Sequence, residues 1–162
     1  MRIPRHLPPV GIALAWLMFI ASFFLPATDV VEMSGTAPGT PLTGWQAFTT
    51  SLEIFGHPVT LLLIPKEPSL LLLLAFPLIN LVMLFSPLPA LAWEEAWMLS
   101  GVFLLFGFVP RLLPRELIGN LFVGFYLWDL SIFMMGAGCI LASIAWKQAY
   151  EAEIQRLRQS AA

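Results

Sequence analysis

The sequence predicts an all-α fold, a four-helix transmembrane bundle with an extracytoplasmic loop that carries a short amphipathic helix. Composition, four long apolar runs and one loop segment with helical periodicity predict it. Of the 162 residues, 59% are hydrophobic and 11% charged, against about a quarter charged in ordinary soluble domains. Mean hydropathy is +0.84. Apolar runs of about 20 residues suffice to cross roughly 30 Å of hydrocarbon. They fall at about 10–25, 69–92, 96–113 and 121–146, leaving a loop at 26–68 and a tail at 147–162. The length allows one compact membrane domain.

The first run follows Arg2, Arg5 and His6, which gives it the charge pattern of a signal peptide. Trp16 and Met18 make its core bulky, and Leu25-Pro26-Ala27 is a poor cleavage site, so it reads as a retained anchor. The second run, Ser69 to Trp93, is interrupted by Asn80 and by prolines. Pro77 precedes Asn80 by one turn and removes a ladder donor, which predicts a kink there. Pro110 and Pro114 bracket Arg111 and mark the end of a short third span. Trp93, Trp97 and Trp146 lie where apolar runs meet water, the layer the indole prefers. The tail from Lys147 continues without a helix breaker and carries Tyr150, Ile154 and Leu157 on one side, as a docking helix would. It is too short for a sustained coiled coil.

Basic residues orient the chain. With both termini cytoplasmic, Arg2, Arg5, Lys147, Arg156 and Arg158 lie inside and Lys66, Arg111 and Arg115 outside, a modest bias in the expected sense for a cytoplasmic (inner) membrane. Glu94 and Glu95 give no vote but suit the start of a helix. The loop from Pro26 to Pro68 then lies outside. Its part around Pro38 and Gly39 is turn-rich. Thr43 and Gln46 have capping-box spacing, Trp45, Phe48, Leu52 and Phe55 recur at helical intervals, and Gly56 supplies a stop. Val59 to Ile64 is too short to span and reads as an extended segment packed on the bundle.

Three short motifs stand out: Ser22-Phe23-Phe24-Leu25-Pro26, Gly44-Trp45-Gln46-Ala47-Phe48 and Gly124-Phe125-Tyr126-Leu127-Trp128. In this order the chain resembles small, uncharacterised four-pass inner-membrane proteins of bacteria, a resemblance that implies a topology and no activity. Gly44-Trp45 is also similar to the first loop of claudin-like proteins, but the paired loop cysteines of that family are absent.

Asp129 is the one ionisable residue deep in a span, where a carboxylate costs about 3 kcal/mol on insertion scales. It lies about 13 Å below the outer end of its run, and Asn80 lies about 16 Å below the same surface. Matched depth predicts an intramembrane polar pair, Asp129 with Asn80. Two alternatives stand beside it: Arg111 reaching inward to Asp129, or a proton or cation site. Along the same run Gly124, Ser131, Gly138 and Ala145 repeat every seven residues, with Ala142 on the same side, a face along which another helix can approach closely. Asp129 points about 160° away from Ser131, so the fourth span is expected to have neighbours on two sides.

A net charge of -2 with scattered basic residues excludes nucleic acid as a partner. One cysteine, Cys139, excludes an internal disulfide framework and reads as a small buried side chain. His6 and His57 fall on opposite sides, so no metal is expected. No cofactor motif and no catalytic set is present. The expectation is a non-enzymatic accessory, scaffold or assembly component in the lipid bilayer, able to meet other membrane proteins or itself. The alternative is a small transporter or channel subunit using Asp129 and Asn80.

Overall fold

The computed structural model describes residues 3–4, 6–29, 41–56, 69–92, 96–112 and 120–160, and these are mostly helical. In chain order they form α1 (Leu7–Ser22), β1 (Pro26–Asp29), β2 (Pro41–Thr43), α2 (Gly44–Gly56), α3 (Ser69–Phe85), α4 (Pro87–Ala92), α5 (Ala96–Leu112) and α6 (Val123–Ser160). Val59 to Ile64, Trp93, Glu94 and Glu95 lie outside the described residues, as does the side chain of Phe55.

Helix α6 is the centre of the fold and packs most extensively on α1 and α5. At 38 residues it is, among the described residues, the one helix long and apolar enough to cross a membrane, about 57 Å at 1.5 Å per residue. The helices α1, α5 and Ala75–Phe85 of α3 are apolar but shorter. Each turns one stripe inward at helical spacing. Ile12, Ala15 and Phe19 of α1, Ile79 and Met83 of α3, and Trp128, Ile132, Met135 and Cys139 of α6 meet in one core with Ala96 and Phe103 of α5.

The run from Ser69 to Trp93 is expected to form one helix kinked near Pro77. Pro77 does lie inside α3, but that helix ends at Phe85, with Ser86 in a turn before α4, so the run forms two helices. The reason lies in the hydrogen-bond ladder. Pro87 has no N–H to give the Met83 carbonyl, and the Ser86 hydroxyl donates to that carbonyl at 2.9 Å. The Trp16 indole N–H of α1 donates to the next carbonyl, Leu84, at 3.4 Å. Pro8 and Pro9 stand at the first positions of α1, where a missing N–H costs nothing. This helix therefore starts and ends earlier than its apolar run.

A small cap closes one end of the bundle. Antiparallel β1 and β2 pair Pro26 with Thr43 and Asp29 with Pro41 around a bulge at Ala27. On its other edge β1 bridges Leu121 through Thr28, and the Phe122 N–H donates to the Ala27 carbonyl at 2.9 Å. Helix α6 accordingly starts two residues later than its apolar run. Gly44 donates to the Leu25 carbonyl and Trp45 to the Phe23 carbonyl, both at 3.0 Å. At the opposite end the Ile3 N–H donates to Gln148 Oε1 at 3.1 Å, setting the amino-terminal segment beside the start of the tail.

The tail is a direct continuation of α6, largely exposed, with Tyr150 stacked on Trp146 at 5.3 Å and Arg156 paired with Glu153 at 3.9 Å.

The small-residue face of α6 lies against α1 and the cap. A methyl group added at Gly138 would sit 2.8 Å from Ile12 Cγ1, and one at Gly124 would sit 2.6 Å from the Pro26 carbonyl oxygen. Ser131 is fully buried, while Ala142 and Ala145 are half-buried near the tail. Gly138→Ile is expected to cost about 1–3 kcal/mol through overpacking against a branched, buried neighbour. Ala137→Ile, on the exposed side of the same helix, is expected to be nearly silent. Thermal unfolding of both variants in detergent checks the contrast.

Candidate functional site

Two polar contacts sit side by side on α6: the first expectation, Asp129 with Asn80, is not met, and the alternative, Arg111 reaching inward to Asp129, is. Asp129 and Asn80 do not pair. Asp129 Oδ2 accepts from Arg111 Nη2 at 2.9 Å and Oδ1 accepts from Nη1 at 3.4 Å, while Asn80 Oδ1 accepts from the Trp128 indole N–H at 2.6 Å. Depth alone matched Asn80 to this level of α6, but the residue facing α3 is Trp128. Its neighbour Asp129 is turned by about 100°, as successive helical residues are, and so faces α5.

The geometry around Arg111 follows from the end of α5. Arg111 occupies the last turn, where a cation is favoured by the helix dipole and by unsatisfied carbonyls. Its Nη1 also donates to the Gly107 carbonyl. The guanidinium lies over two rings, 5.7 Å from the centre of Phe108 and 5.3 Å from that of Phe133, which meet edge to face at 5.5 Å. Gly107 makes this possible, because a methyl group there would fall 2.8 Å from Phe133 Cζ. The Asp129 side chain is 12% exposed and that of Arg111 53%. A bidentate fork held by aromatic faces is a fixed arrangement in which Arg and Lys are not interchangeable.

On the α3 side, Trp128 stacks on Phe76 at 5.3 Å and meets Phe125 at 5.7 Å. Phe76, Ile79, Phe106, Val109, Pro110 and Trp128 line a narrow crevice that encloses no space for a water molecule. Among the described residues every buried side-chain nitrogen and oxygen has a partner. Ser22 and Ser131 achieve this by bonding the carbonyl three residues back, each at 2.6 Å.

The third predicted group, Trp45, Phe48, Leu52 and Phe55, lies along α2. Thr43 and Gln46 bond reciprocally, the Thr43 N–H donating to Gln46 Oε1 at 2.9 Å and the Gln46 N–H to Thr43 Oγ1 at 3.3 Å. Trp45 and Phe48 pack edge-on against Phe23 of the α1 end, each at 6.0 Å. Trp45 and Leu52 remain more than two-fifths exposed, at 57% and 44%. The motifs at Ser22, Gly44 and Gly124 thus converge on the cap. An added methyl at Gly44 would collide with the Ser22 carbonyl oxygen and Phe23 Cα.

Sequence reasoning passed over Trp128, Phe108 and Phe133 as site residues. The signal was present: Phe133 follows Asp129 by four residues and Phe108 precedes Arg111 by three, the spacings that place side chains on one helix face. No protein family, characterised protein or solved structure matches the chain.

Removing one partner of the ion pair strands the other. Arg111→Gln is expected to destabilise by about 1–2 kcal/mol through the loss of the charged partner of Asp129, Arg111 itself being half exposed, and Arg111→Gln with Asp129→Asn by clearly less. Unfolding of both single variants and the double variant gives the coupling directly. Trp128→Phe should cost about 1–2 kcal/mol because it leaves the buried Asn80 oxygen without its donor.

Proposed function

We propose that the chain is a four-pass protein of the cytoplasmic membrane whose role is non-enzymatic, as an accessory, scaffold or assembly component. One observation carries the membrane part: the shorter helices turn apolar faces outward as well as inward. Leu7, Val10, Leu14 and Leu17 of α1, Leu78, Leu81 and Phe85 of α3, and Leu105, Phe108 and Leu112 of α5 are all exposed. Apolar surface on this scale is stable when lipid covers it. At 16 residues, α1 spans about 24 Å, so it suits a thin bilayer or one thinned locally.

The hydrogen bond between Ile3 and Gln148 supports placing both termini on one face, which the basic residues assign to the cytoplasm. The cap and α2 then lie outside. A scaffold role is supported by the commitment of Asp129 to a closed ion pair and of Asn80 to Trp128. Both contacts fix helix register, as polar groups between membrane helices do. The rival, a small transporter or channel subunit, rests on the same carboxylate.

The protein is expected to stay with membranes after carbonate extraction. With cysteines at Thr40 and Ser160 in a Cys139→Ala background, an impermeant thiol reagent applied to intact cells should label Thr40 and spare Ser160. Release by carbonate overturns the membrane reading, and the inverse labelling pattern overturns the orientation. Asp129→Asn should leave the assembly of a scaffold intact in detergent, whereas abolished proton-coupled uptake into proteoliposomes would favour the transporter.

A further inference from the structure

We propose that Arg111 is a seat for the phosphate of a phospholipid in the leaflet on the cap side, with an acyl chain lying along α5. The proposal rests on the membrane reading above and adds a ligand to it. A guanidinium has five N–H donors in a fixed fork with two bidentate edges. In this protein the end-on edge is filled, Nη1 by Gly107 and Asp129 and Nη2 by Asp129. That leaves the side-on edge, Nε–H with the second Nη2–H, without a partner among the described residues. Just over half of the Arg111 side chain is exposed, 53%.

The surroundings select the ligand. The Arg111 backbone sits one residue from the end of α5, where a crossing helix meets lipid headgroups, and its guanidinium reaches back one turn to the Gly107 carbonyl, so the phosphate would seat just inside that layer. Leu105 and Phe108 below it and Leu112 just beyond it form an exposed apolar stripe, at 68%, 54% and 67%. A free anion would use the fork and leave this stripe bare, whereas a phospholipid uses both. Phosphate oxygens match the side-on edge as a carboxylate does, by two parallel charge-assisted bonds. The fork is already immobilised by Asp129, Phe108 and Phe133, so little side-chain entropy remains to be lost on binding. Asp129 offsets part of the positive charge, and the site is therefore of modest affinity.

The test uses detergent-purified full chain that has first been shown to stay with membranes in carbonate. Thermal unfolding is followed with dioleoyl phosphatidylglycerol, dioleoylglycerol or inorganic phosphate added. Phosphatidylglycerol is expected to raise Tm by about 3 °C, with dioleoylglycerol and inorganic phosphate giving little. Arg111→Gln with Asp129→Asn removes fork and counter-charge together, so it should fold and lose the increment. Arg111→Lys should lose most of it while keeping the charge. An equal rise with dioleoylglycerol, a full rise with inorganic phosphate alone, or an undiminished rise in the double variant overturns the proposal. A chain released by carbonate fails the membrane reading instead.

Discussion

The fold depends on how closely α6 can approach its neighbours. Helix packing without a strong hydrophobic drive relies on dispersion contacts, which fall off steeply with distance. Gly138 lets α6 lie against Ile12, Gly124 lets it pass the backbone at Leu25 and Pro26, and Gly107 lets the Phe133 ring rest on α5. These approaches bring Asp129 within reach of Arg111 and Trp128 within reach of Asn80. Larger residues at the glycines would widen the gaps and leave buried polar groups unpaired, so packing and polar satisfaction rise or fall together.

Polar groups in the core are handled locally wherever a side chain can fold back. Ser22, Ser86 and Ser131 bond the carbonyl three residues earlier and ask nothing of a neighbouring helix. Asn80 and Asp129 have no such local solution, and each reaches a partner on another helix. They carry the interhelical specificity for that reason: apolar contacts tolerate sliding, whereas a bidentate fork and an indole N–H accept one register.

Much of the helical content was legible in the sequence. The capping box at Thr43 and Gln46 located the start of α2 because its spacing has a direct mechanical meaning, and the close-packed face of α6 at Gly124, Ser131 and Gly138 follows from its seven-residue period. The break at Ser86 was missed because Pro77 drew attention as the site of a kink. A helix can carry a proline through when neighbours satisfy the freed carbonyl. Another proline at Pro87, with a serine before it, ends the helix instead. The cap was not legible, since β1 and β2 are too short to show alternation and their pairing joins residues distant in sequence. At the site, Asn80 does meet α6 at the level of Asp129, through Trp128, but the direction each side chain faces was not legible. Successive residues on α6 face different helices, and assigning a neighbour to each requires the packing order that only the structure supplies.

Strand β1 lies between β2, which follows it closely in sequence, and Leu121, which comes after four further helices, α2 to α5. During synthesis its first edge can be paired early. The second remains open until the start of α6 has emerged. A nascent or truncated chain therefore exposes a bare row of backbone donors and acceptors beside the Phe23 and Trp45 cluster, a surface suited to mispairing with another chain. The same bridge ties α1 to α6 when it closes, so completion of the cap reports that the last long helix has arrived in place.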